Sequence, residues 1–186
     1  MKLLYRDYFK TQLMTSIVKY SMAMQSEPEA RWLDADEQQT WLAFVSAVVK
    51  LPIALDRQLQ HDAEISHFEY QVMAHLSEAP QRTLRMSTLG ARAEGSLQRL
   101  SQVVARLGKR GWVTRCADPS DGRYTLATLT DEGWAKVVAT APGHVAAVRR
   151  LVFDPLTDTQ HRQLRSISRR ITEAIDDDGQ RRDAPA

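Results

Sequence analysis

The chain has 186 residues, 43% of them hydrophobic and 26% charged, with a formal net charge of +2. These values fit one globular domain or a two-lobed subunit, and they exclude a wholly disordered chain, a collagen-like repeat and a large multi-domain enzyme. No run approaches the roughly 18–20 apolar residues of a membrane span, and a single cysteine, Cys116, excludes an internal disulfide and a multi-cysteine zinc cluster.

Residues 1–24 are basic, with Lys2, Arg6, Lys10 and Lys19 against Asp7, and their apolar positions are interleaved with polar ones. A secretory signal needs a continuous apolar core and a small-residue cleavage site, and neither is evident. Three readings stay open: an extra helix packed on a partner, a loose or misassigned leader with Met24 as the alternative start, and a surface-binding amphipathic helix. Residues 26–36 read as a linker.

Asp36 to Gln60 is a long helical pattern in which Trp41, Phe44, Val45, Val48, Leu51, Leu55 and Leu59 recur at three- and four-residue steps. Pro52 inside it predicts a kink or a lost hydrogen bond. Ser66, with Glu69 at the box position, caps a helix carrying Phe68, Val72, Met73 and Leu76. Thr83 to Met86 is extended, and Ser87 caps a short helix over Thr88 to Ala93. Glu94–Gly95 makes a turn, and Ser96 caps a third helix ending at Gly111. Trp112 to Cys116 and Tyr124 to Leu129 alternate as strands around the turn residues Asp118 to Gly122. Thr130 caps a helix that Pro142–Gly143 interrupts and that Val145, Val148, Leu151 and Val152 resume. Thr157 and Gln160 box a last helix with the stripe Leu164, Ile167, Ile171 and Ile175. From Asp176 onward the chain is charged and expected to be loose.

Two short helices, a tight turn and a third helix follow the helix-turn-helix pattern, and the hairpin makes it winged. On the third helix Leu97, Leu100, Val103, Val104 and Leu107 gather on one side, which is predicted to be core. Gln98, Gln102 and Ala105 lie opposite, flanked by Arg99, Ser101 and Arg106. This outer face has no acidic residue, and its amides and guanidiniums suit adenine and guanine edges. A solvated amphipathic helix is the plain alternative. The surroundings favour the first reading: Arg82 to Arg123 carries nine basic and three acidic residues, a local +6. At the hairpin, Gly122 suits a left-handed tip, and Arg123 beside it suits a narrow minor groove, with Asp118 or Asp121 to hold it. A surface salt bridge is the alternative there.

Asp118-Pro-Ser-Asp-Gly-Arg123 followed by Leu129-Thr-Asp-Glu-Gly133 resembles the wing signature of the MarR family of transcriptional regulators, through Asp121, Arg123, Leu129, Thr130 and Gly133. Leu107-Gly-Lys-Arg-Gly-Trp-Val113 resembles the end of that family's recognition helix, and Leu156 to Gln160 with Leu164 its final helix. The resemblance spans roughly Asp36 to Ile175. It implies a homodimer based on terminal helices, with two winged lobes binding a pseudo-palindrome in double-stranded DNA. Matched by position, Gln98, Arg99, Ser101 and Gln102 fall on the base-reading part, Arg123 on the wing arginine and Ser87 near a phosphate-contacting helix start. Ser96, Arg106, Asp121 and Gly122 complete the expected DNA-contacting set. The resemblance also implies release by a small aromatic effector, for which Trp41, Phe44, His67, Phe68 and Met73 are pocket candidates; ordinary core is their plainer reading. Cys116 beside Arg115 is read either as a redox sensor or as a quiet structural residue.

No Gly-x-Ser-x-Gly, phosphate loop or dinucleotide fingerprint is present, and the five histidines show no metal-ligand spacing. The expectation is therefore a mainly α protein with a small β-hairpin wing, not an enzyme, without cofactor or metal, acting in the cytoplasm as a repressor. Its expected division is an extension and linker at 1–35, dimerisation helices at 36–60 and 140–178, a winged helix-turn-helix at 61–139 and a tail at 179–186. A nonspecific architectural DNA-binding protein and a winged-helix interaction module without DNA binding are the alternatives.

Overall fold

The computed structural model describes residues 31–183, so the expectations for residues 1–24 lie outside the described residues. In chain order the elements are α1 (Ala35–Ala63), α2 (His67–Ser77), β1 (Thr83–Arg85), α3 (Met86–Arg92), α4 (Leu97–Lys109), β2 (Val113–Asp118), β3 (Asp121–Leu129), α5 (Asp131–Val148) and α6 (Asp158–Asp183). The chain divides into two units between Phe44 and Val45, within α1. The hydrophobic core belongs to the second.

The helix starts are set by local chemistry. Ser66 and Glu69 form a reciprocal capping box: the Glu69 N–H donates to Ser66 Oγ at 3.2 Å and the Ser66 N–H to Glu69 Oε2 at 2.8 Å. Ser96 Oγ accepts the Arg99 N–H at 3.2 Å, Thr130 Oγ1 accepts the Gly133 N–H at 3.0 Å, and Thr157 with Gln160 closes a second box. Ser87 does not cap. It lies inside α3, whose N-cap is Arg85, because β1 runs directly into that helix and leaves no residue between them.

The sheet has three antiparallel strands in the order β1-β3-β2 rather than the two of a simple hairpin. The extended piece before α3 is the third, with Thr83 paired to Thr128 and Arg85 to Leu126. Pro142 and Gly143 do not interrupt α5, which passes through both and continues as a π-helical turn over Arg149–Phe153. The missing Pro142 N–H costs one helical bond, but the helix continues past it. The charged stretch from Asp176 is also helical, to Asp183, since nothing in it stops a helix before Pro185. Likewise α1 is continuous through Pro52.

Leu59, Ile65, Val72, Met73, Leu76, Leu89, Leu100, Val103, Val104 and Leu107 are all fully enclosed. They draw together α1, α2, α3 and α4 beneath the sheet residues Val113, Ala127 and Leu129. Each such side chain contributes about 1.5–3 kcal/mol by burial. Leu97 is a correction: it is 62% exposed. Helical periodicity places it on the core side, but it lies in the first turn of α4, at the edge of the core beside Gly90.

Candidate nucleic-acid interface

Helix α4 buries Leu100, Val103, Val104 and Leu107, which fixes what it presents outward: Gln98, Ser101, Gln102 and Ala105 are all exposed. Its two flanking arginines are held by helix α2. The Arg106 Nε donates to the Glu69 carboxylate at 3.1 Å, and the Arg99 guanidinium lies 4.1 Å from the Phe68 ring centre. Burial pushes the Glu69 carboxyl up, but hydrogen bonds from Ser66 and Arg106 outweigh it and leave the group below its ordinary range. Arg106 therefore has a structural partner that sequence reading did not supply. Ser96 is the helix cap, and Ser87 is exposed beside α4.

The wing is held by two aspartates with separate tasks. Asp121 grips Arg123 bidentately, with Nε donating at 2.9 Å and Nη2 at 2.7 Å. Such a fork holds the guanidinium in one orientation while the side chain stays 85% exposed. Asp118 instead receives Arg85, from Nε and Nη2 at 2.8 Å each, and accepts the Ser120 hydroxyl at 2.6 Å and backbone N–H at 2.9 Å. Arg85 in turn lies over the Tyr124 ring at 4.4 Å. The Asp118-Arg85-Tyr124 anchor ties the first strand to the wing, and only the local Asp118-x-Ser120 turn was detectable as a signal. Gly122 does not take a left-handed tip conformation. It is the second residue of β3, and its φ is not positive. The tight turn is instead closed by Pro119 and Ser120 between paired Asp118 and Asp121.

The Ser120 donors, aided by Arg85, hold the Asp118 carboxyl down to about 2. Its value in an unfolded chain is about 3.9. The unfolded state thus binds the proton first on acidification, so the stability that Asp118 supplies is complete above about pH 4 and disappears as pH falls toward 2. Denaturant unfolding of Asp118→Asn, compared with the parent between pH 5 and 2, is expected to show a smaller loss on acidification. Equal acid sensitivity would assign that loss to other carboxylates.

The five effector-pocket candidates divide. Trp41 and Phe44 are exposed on α1, with ring centres 6.3 Å apart. Met73 is closed in the core, and Phe68 is buried beneath Arg99. His67 is half-buried near two groups that sequence reading missed, Tyr70 and His144. The His144 ring centre is 4.6 Å from Tyr70 and 5.8 Å from His67. Burial lowers both histidines below the ordinary range, against Asp56 for His67 and with His67 adding to it for His144. Cys116 is exposed on β2. Among the described residues no helix is long and apolar enough to cross a membrane, and no group of three or more His, Cys, Asp or Glu is placed to hold a metal ion.

A helix-turn-helix whose third helix carries amides on a carboxylate-free face, beside a wing that holds out an arginine, defines a winged-helix DNA-binding protein. The family model of the MarR family matches residues 65–123. The chain is 47% identical to Sco3205 of Streptomyces coelicolor, a MarR family transcriptional regulator solved in complex with DNA; the match covers 80% of this chain and 92% of that one, with a TM-score of 0.76. It is 31% identical to AbsC of Streptomyces coelicolor, also a MarR family transcriptional regulator, over 78% of this chain and 98% of that one, with a TM-score of 0.74. The chain belongs to the MarR family of transcriptional regulators. No curated protein matches it by sequence.

Proposed function

We propose that the protein is a sequence-specific regulator that binds a pseudo-palindromic operator as a homodimer and represses transcription. The observation that carries this reading is the outer face of α4, where Gln98, Ser101 and Gln102 stand exposed while Asp121 holds Arg123 at the wing. The amides suit adenine edges in the major groove, and the arginine suits the adjacent minor groove. Residues 61–139 would read DNA. Residues 36–60 and 140–178 would form the dimer, and the exposure of Leu164, Ile167 and Ile175 along α6 supports that assignment. Repression is the sign that the family resemblance favours.

The test is fluorescence anisotropy of the full chain on the DNA upstream of its own gene, with selected genomic fragments and a scrambled duplex as controls. A preference of about 10³-fold over the scrambled duplex is expected. Gln98→Ala and Gln102→Ala should each reduce that preference by about tenfold and leave scrambled-DNA binding unchanged. Equal losses on both duplexes would favour an architectural protein, and no binding at low salt would favour an interaction module.

We place effector binding, as part of the same proposal, at the His67-Tyr70-His144 cluster, because Phe68 and Met73 are enclosed. A panel of phenols and aromatic carboxylates should raise the thermal midpoint of the parent and not of His144→Ala. Equal shifts in both would remove this cluster from the reading.

A further inference from the structure

Four arginines of the winged lobe are neutralised locally: Arg82 by Asp131, Arg85 by Asp118, Arg106 by Glu69 and Arg123 by Asp121. Arg99 differs. Among the described residues it has no ion-pair partner, yet its guanidinium is not loose, because it rests over the Phe68 ring at 4.1 Å. A ring holds a guanidinium through its face. That anchors the group while leaving its charge and its N–H donors available to a ligand. The Ser96 cap adds a second restraint by accepting the Arg99 backbone N–H, so Arg99 stands in the first turn of α4. In a helix-turn-helix that end approaches the base edges.

The turn before α4 is built around the same ring. Glu94, not Gly95, carries the left-handed backbone, with φ of +49°. Gly95 is required for space instead: a Cβ there would lie 2.6 Å from Phe68 Cζ. The glycine lets the ring reach the turn, and Phe68 is left only 6% exposed.

We propose that Phe68 is the positioning residue that presents Arg99 to one guanine in each half-site, so that base choice at that position is set from α2, outside the recognition helix. This rests on the DNA-reading function proposed above. A planar guanidinium held at its face matches the paired O6 and N7 acceptors of guanine.

The experiment selects duplexes from a random library with the full chain and with Arg99→Ala, then measures anisotropy on the best duplex and its single-base variants. The position whose guanine preference collapses in Arg99→Ala identifies the contact. The parent should prefer guanine there by about 10- to 100-fold. Phe68→Leu, which keeps the site apolar, should reduce that preference by about tenfold and spare the other positions. In the Arg99→Ala background it should remove nothing further. Arg99→Lys keeps the charge but not the two-donor edge, and it should lose the same preference with an unchanged thermal midpoint; Phe68→Met, apolar and without a ring face, replaces Phe68→Leu if that variant does not fold, with the same result expected. Uniform losses at every position, a Phe68→Leu effect that persists without Arg99, or a guanine preference that survives Arg99→Ala would each overturn the proposal while leaving the DNA-reading function standing. A parent chain without sequence preference would overturn that function itself, and this inference with it.

Discussion

Gly133→Ala is expected to destabilise the winged lobe by about 3 kcal/mol, at the upper end of the usual range for overpacking a close contact. A Cβ at this position would run into the Trp112 carbonyl oxygen and lie 2.7 Å from Leu129 Cδ1. Leu129 can rotate, but the carbonyl is backbone, and it is already committed. It accepts the Thr130 N–H at 3.0 Å, and the Gly111 carbonyl accepts the Thr130 hydroxyl at 2.8 Å. The start of α5 is thus pinned to the entry of β2 by three consecutive features: the Thr130 cap, the Thr130 backbone and the absent side chain of Gly133. Thermal unfolding should show a midpoint lowered by roughly 6–12 °C for a chain of this size. Gly122→Ala is the control. A Cβ at Gly122 would meet nothing within 4 Å and its φ is not positive, so the midpoint should stay level or rise slightly. Similar losses in both variants would refute the close-approach account.

The second large effect is on DNA. Arg123→Ala should weaken operator binding about 10- to 100-fold and reduce the salt slope by about one charge. Asp121 holds the guanidinium by two bonds in an exposed position, so the side chain is oriented before DNA arrives and little of its freedom remains to be lost. Asp121→Asn separates orientation from charge. It removes a negative group near phosphate but also removes the strong fork. Specificity should therefore fall while nonspecific binding rises. Anisotropy against salt on operator and scrambled duplexes measures both. An unchanged salt slope in Arg123→Ala would mean that the wing does not touch DNA.

The features legible in the sequence share one property: their partners lie close along the chain. Ser66 with Glu69, Ser96 with Arg99, Thr130 with Gly133 and Thr157 with Gln160 are all fixed by the geometry of a helix start. The apolar side of α4 beyond its first turn is legible for the same reason, as are the hairpin and an aspartate partner for Arg123, though not which of Asp118 and Asp121 supplies it.

The expectations that failed depended on where elements dock. Periodicity assigns Leu97 to the core side but cannot say that the core ends there. A glycine after an aspartate suggests a left-handed turn, yet the register of β3 against β2 draws Gly122 into the strand. The turn expected at Glu94–Gly95 does form, with Glu94 as its left-handed residue; only docking shows that the glycine makes room for Phe68.

The order of elements, their caps, the polar face of α4 and the basic concentration between Arg82 and Arg123 follow from neighbouring residues and from composition, and the amino-acid string suffices to find them. Which charges meet is a matter of docking. Arg85 and Asp118 are 33 residues apart, and Arg106 and Glu69 are 37 apart. Many arginines and carboxylates are chemically able to pair; helix packing and strand register bring these together and leave Arg99 over a ring, without an ion-pair partner among the described residues.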